Sequence, residues 1–84
     1  MAQTYQVSIQ NMQFDPDNVG VATGDTVRWT NTMGMQHTVT ADDGSFDSGP
    51  IAQGETFSQV FNAAGSVGYH CEIHPQMTGT IIVT

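Results

Sequence analysis

Apolar and polar residues alternate one by one over several short stretches of the chain. In residues 4–10 the apolar positions are Tyr5, Val7 and Ile9. Successive side chains of a strand point to opposite faces, so this spacing predicts a strand with one buried face. Residues 26–31 repeat the pattern with Val27 and Trp29 inward, and residues 36–41 repeat it with His37 and Val39 on one face. Residues 55–61, 66–71 and 79–84 read as further strands, and 19–21 as a short one. Within 66–71, Val67, Tyr69 and Cys71 share a face. Turn chemistry separates these stretches: Asp15-Pro16-Asp17-Asn18, Thr23-Gly24-Asp25, Asp42-Asp43-Gly44 and Ala63-Ala64-Gly65. Pro presets φ, Gly supplies positive φ, and Asx side chains bond local backbone. Met33-Gly34-Met35 and residues 72–78 read as loops, and the Gly- and Ser-rich residues 45–54 as irregular chain. No stretch has a helical period. Seven or eight short strands, with turns roughly every 8–12 residues, predict an all-β, antiparallel sandwich. Trp29, Phe14, Phe46 and Phe61 are the expected core.

The 84 residues predict one domain spanning 1–84. Hydrophobic residues make up 38% and charged residues only 11%, which excludes the low-hydrophobicity, high-charge composition of disordered chains. Eight Asp and Glu face a single cation, Arg28, for a net charge of −7. Nucleic-acid binding needs clustered Lys and Arg, so it is excluded as a function class. No apolar run approaches the roughly 20 residues of a membrane span. Met1-Ala2-Gln3 runs directly into strand-like sequence with no basic or apolar leader, so the expectation is either a cytosolic protein or one whose leader has been removed.

There is one cysteine, Cys71, so no disulfide forms within the chain. Cys71, His74 and Met77 stand three residues apart in a loop, which turns a thiol, an imidazole and a thioether toward one point. With one Cys, three His and five Met in the chain, random placement gives this spacing with a probability of about 0.002. A sandwich gathers its loops at its ends, so a second imidazole, His37, is in reach. A thiolate, two imidazoles and a thioether are the donors of a blue-copper centre: a trigonal His2Cys plane with a long, weak axial Met. The bland alternatives are a core thiol for Cys71, a surface histidine at His37 or His74, and a packing role for Met77. His70 neighbours Cys71 in a strand, so it points to the other face and is expected to be exposed and not a ligand.

On these residues the chain resembles the cupredoxins, small blue copper proteins of the plastocyanin and amicyanin kind. The resemblance runs through Met12-Gln13-Phe14-Asp15-Pro16, Gly24-Asp25-Thr26-Val27-Arg28-Trp29-Thr30-Asn31 and His37-Thr38-Val39, then Phe61, Ala64-Gly65, Tyr69, Cys71, His74 and Met77. The short Cys-x-x-His-x-x-Met loop with Pro75 is most similar to that of amicyanin. Thr38 stands where many relatives have Asn, and Glu72-Ile73 where they have Thr-Pro. The resemblance implies a Greek-key β-sandwich with one copper ion near one end and His37, Cys71, His74 and Met77 as its ligands. It also implies that Asn31 ties down the Cys71 loop. The implied function is one-electron shuttling by a soluble monomer outside the cytoplasm, for instance in the periplasm.

His74 is the expected electron port, within an apolar patch of Met33, Gly34, Met35, Ile73 and Pro75. The acidic balance favours redox protein partners with a positively charged docking surface. Asp42, Asp43 and Asp47 read as a solvated turn region. The competing reading is a copper carrier or storage protein with the same ligands. A copper enzyme needs a second, open, His-rich site, and only His70 remains to build one; a Cys–His nucleophile would need a substrate cleft this small core lacks. No enzymatic activity is expected. Zinc suits Cys and His, but a thioether is an odd neighbour for it.

Overall fold

The computed structural model describes residues 2–84. Eight strands follow in chain order: β1 (Thr4–Gln10), β2 (Gln13–Asp15), β3 (Asn18–Val21), β4 (Asp25–Asn31), β5 (Thr40–Ala41), β6 (Thr56–Phe61), β7 (Gly65–His70) and β8 (Thr78–Val83). They form two four-stranded sheets, ordered β2-β1-β4-β6 and β3-β8-β7-β5, with no helix among the described residues. The alternation in the sequence is the reason. Val7 and Ile9 on β1, Val27 and Trp29 on β4, Tyr69 on β7 and Ile81 and Val83 on β8 are all buried between the sheets. An aromatic group fills the centre: Trp29 and Phe14 both pack against Tyr69, with ring centroids 5.2 and 4.7 Å away, and Phe46 lies 6.1 Å from Trp29.

Three sequence expectations need correction. The sandwich is not wholly antiparallel, since β1 pairs with β4 and β3 with β8 in parallel. Periodicity reports which face of a strand is buried and is silent on strand direction. The predicted strand over residues 36–41 shrinks to β5, preceded by a single bridge between His37 and Ile51. Every residue from His37 to Ala41 is buried, so the alternation there marks no polar face. Finally, β2 has no counterpart in the sequence reading. Its hairpin to β1 turns through Asn11 and Met12, both at positive φ without a glycine to signal it.

The short β5 is extended by loop-to-loop bonds. Ser48 N–H donates to Val39 C=O, Ile51 N–H to His37 C=O and Ala41 N–H to Phe46 C=O. Residues 46–51 are thus laid along residues 37–41. This brings the predicted irregular segment against the strand that carries His37.

Candidate metal centre

Cys71 lies just past the end of β7, where the alternation that buries Tyr69 also turns the sulfur inward; it is fully buried. The loop beyond it closes on itself. Met77 N–H donates to His74 C=O at 2.9 Å, and Cys71 N–H donates to Met77 C=O at 3.1 Å. The first bond closes a turn between His74 and Met77, and the second ties the two ends of the loop together. Met77 is buried beside the same core, and His74 is half-buried. His37 arrives from the other loop, fully buried.

The geometry brings three of the four expected ligands together. Cys71 Sγ lies 3.7 Å from His37 Nδ1 and 3.9 Å from His74 Nδ1. The two imidazole rings have centroids 4.8 Å apart, and one donor atom from each of the three residues falls within 4.8 Å of the others. Metal–nitrogen and metal–sulfur bonds of about 2.0 and 2.3 Å, set at 120°, separate nitrogen from sulfur by about 3.7 Å. The two sulfur–nitrogen spacings are close to that value, so each imidazole can share one ion with the thiol. Protonation agrees with this: burial, and then the neighbouring His74, hold the His37 pKa below its ordinary value, which favours the neutral ring that donates to a metal.

The sulfur is bonded from a second side. Thr38 N–H donates to Cys71 Sγ at 3.3 Å, and Thr38 Oγ1 accepts the N–H of Glu72 at 2.8 Å. Thr38 thus links the two loops with its backbone and its hydroxyl, in the position where the relatives' Asn was expected to differ. Asn31 acts elsewhere than predicted. Its Nδ2 donates to Met35 C=O and Ile51 C=O, and its Oδ1 accepts from Met33 N–H. It fastens the loop before His37 and leaves the Cys71 loop alone, because its buried amide lies at the end of β4.

His70 is half-buried and sits between two acids. Its Nδ1 is 2.6 Å from Asp42 Oδ1 and its Nε2 3.3 Å from Glu72 Oε1. The Asp42 bond, with support from Glu72, raises its pKa above the ordinary value. Both ring nitrogens are occupied away from the sulfur cluster. Met35 and Ile73 are 47% and 45% exposed, Gly34 and Pro75 are exposed as well, and the half-buried His74 stands in the chain between Ile73 and Pro75. Met33 is less available, half-buried with its sulfur 3.4 Å from the Met12 N–H that donates to it.

A model of copper-binding proteins of the plastocyanin/azurin family matches residues 1–84. The chain belongs to that family. It is 36% identical over 83 residues to a plastocyanin of Scenedesmus fuscus, covering 83% of this chain and 85% of the relative. It is 34% identical to amicyanin-alpha of Methylorubrum extorquens, covering 93% of this chain and 70% of the relative. Among solved structures, an amicyanin variant in its Cu(I) form superposes with a TM-score of 0.90 at 29% identity, over 96% of this chain and 82% of that one. A purple cupredoxin from Nitrosopumilus maritimus gives 0.87 at 28% identity, over 95% and 99%. The all-β fold is therefore that of the cupredoxins, and the cofactor is copper, for which His37, Cys71 and His74 form the one such cluster among the described residues.

Proposed function

We propose that this cupredoxin carries single electrons between redox proteins, with one copper held by His37, Cys71 and His74 and more weakly by Met77. The observation that supports this most is the approach of two imidazole nitrogens to one buried thiol, at 3.7 and 3.9 Å. Copper in such a donor set supplies reversible one-electron chemistry, alternating between cupric and cuprous forms. The chain's own part is to hold the donors still and keep water out. Burial of His37, Cys71 and Met77 does the second, and the Thr38 bonds to Sγ and to Glu72 N–H do the first. Donors that move little between the two oxidation states keep the reorganisation accompanying each transfer small.

His74 is the port. One ring nitrogen faces the sulfur, and the half-buried ring lies between its exposed chain neighbours Ile73 and Pro75, which give it an apolar rim. Such a rim suits a small, short-lived encounter, since it offers apolar contact without charges to desolvate. The net charge of −7 steers cationic partners toward the molecule, and the association rate falls as salt rises. We assign the protein a non-enzymatic role as a monomer outside the cytoplasm, where plastocyanin-like proteins meet their partners.

The test separates a shuttle from a copper carrier with the same ligands. Copper-loaded protein is cycled repeatedly between oxidant and reductant in the presence of a Cu(I) chelator, and copper per chain is counted. A shuttle retains one ion throughout; steady loss to the chelator on each reduction supports the carrier instead.

A further inference from the structure

Thr38 is one end of a longer chain of side-chain bonds. Its hydroxyl lies 3.0 Å from that of Thr40, and Thr40 Oγ1 donates to Asp47 Oδ1 at 3.1 Å. The directions follow from the partners. A hydroxyl has one hydrogen to donate. Thr40 gives its hydrogen to the carboxylate, so Thr38 must give its own to Thr40. Thr38 Oγ1 then accepts from Glu72 N–H. The result is a one-way series running Glu72 N–H, Thr38, Thr40, Asp47. It starts at the amide next to Cys71 and ends on an exposed carboxylate 24 positions earlier in the chain (71 minus 47). Both threonines are buried, at 4% and 6% exposure, so their bonds are shielded from competing water.

We infer that Thr40 and Asp47 are positioning residues for the copper site, acting on the Cys71–Glu72 peptide through the Thr38 hydroxyl. Hydrogen bonds in series polarise one another, and a bond to an ionised acceptor is stronger than a neutral one. The Asp47 carboxylate makes Thr40 oxygen a better acceptor for Thr38, and Thr38 oxygen a better acceptor for the Glu72 amide. Asp47 is itself held, because its Oδ1 also accepts from Gly49 N–H at 2.9 Å, and Thr40 and Asp47 form a backbone bridge. This makes an acid in a surface turn part of the framework that fixes the sulfur's surroundings, and so part of what sets the reduction potential. Its negative charge favours the cupric form, so its removal raises the potential.

This inference rests on the copper reading of the site. The experiment is a double-mutant cycle on copper-loaded protein, using Asp47→Asn, Thr40→Val and their combination, with Asp43→Asn as control. Asn keeps an acceptor oxygen at position 47 without the charge; Val keeps the shape of Thr without the hydroxyl. Asp43 bonds only within its own turn, to Ser45 N–H. The expected result is an upward shift of potential in Asp47→Asn that exceeds the shift in Asp43→Asn and shrinks when Thr40 is already Val. Hydrogen exchange in the diamagnetic Cu(I) protein gives the second readout. In Thr40→Val the Glu72 amide should exchange about fivefold faster, the effect of weakening one hydrogen bond, while the Val39 amide, which donates to Ser48 Oγ, stays unchanged. An Asp47→Asn shift that is the same in both backgrounds, or Glu72 and Val39 amides that speed up together, overturns the relay. An intense visible band in the wild-type protein with additive shifts defeats the relay alone, whereas its absence defeats the copper reading.

Discussion

The Thr38 amide and the Cys71 sulfur are joined by a 3.3 Å hydrogen bond although 33 residues separate them in the chain. The bond crosses between the two loops that supply the candidate donors. It also fixes the direction from which the sulfur is approached, leaving its other side to the two imidazoles. A buried thiolate held this way is the donor expected to give Cu(II) an intense visible absorption. Cys71→Ser should therefore abolish that band while the far-ultraviolet circular dichroism of the sandwich persists. A band that survives in Cys71→Ser removes the sulfur from the centre.

Met77 is part of the core, being only 2% exposed, and is the proposed weak fourth ligand. Met77→Ala should cost about 2–4 kcal/mol of stability through the cavity it leaves. It should keep the visible band, since the thiolate and imidazoles remain, and shift the reduction potential, since the weak axial thioether is gone. If band and potential are both unchanged, Met77 is a packing residue alone.

Two glycines give a contrast in packing. A Cβ on Gly79 would run into the buried ring of Tyr69, whereas on Gly68 it would meet Asp42 Oδ2 at 2.6 Å. Tyr69 is fully enclosed by Phe14 and Trp29 and cannot retreat; Asp42 is exposed and can swing away, at most giving up its exposed bond to His70. Gly79→Ala should lower stability by about 1–3 kcal/mol, the usual cost of overpacking, and Gly68→Ala by clearly less. Urea midpoints of the two variants decide it, and equal losses would refute the contrast.

Acid sensitivity follows from Asp25, whose carboxylate accepts the N–H groups of Gln3 and Ala22, each at 2.9 Å. These bonds, Gln3 first, hold its pKa below the ordinary value of 3.8. A depressed folded-state value means that the contribution is full above the unfolded value and is lost as pH falls through the folded one. Asp25→Asn should be less stable than the wild type at neutral pH, and the gap should narrow as the solution is acidified below the ordinary carboxylate range. A gap that stays constant with pH contradicts the assignment.

Much of this was legible beforehand because burial writes itself into alternation. Val7, Ile9, Val27, Trp29 and Tyr69 were placed correctly by period alone, and the three-residue spacing of Cys71, His74 and Met77 announced their loop. What escaped reading lies in bonds between loops. Asn31 was expected to hold the Cys71 loop and instead holds Met35 and Ile51 carbonyls, because nothing in a sequence says which backbone carbonyl will face a buried amide. Thr40 and Asp47 carried no signal either: one sits in a strand and the other seven residues on in a polar turn region, and they meet only because residues 46–51 fold back along residues 37–41. The strand at 36–41 was overread for the same reason, since its neighbours are supplied by a loop.

The most direct measurement is the addition of Cu(II) to the metal-free protein, followed by optical absorption and electron spin resonance. The account predicts one copper per chain, an intense visible band that a reductant bleaches and an oxidant restores, and a spin-resonance spectrum of a single cupric species. Copper taken up at one per chain without such a band would contradict a centre built on the Cys71 thiolate and the imidazoles of His37 and His74.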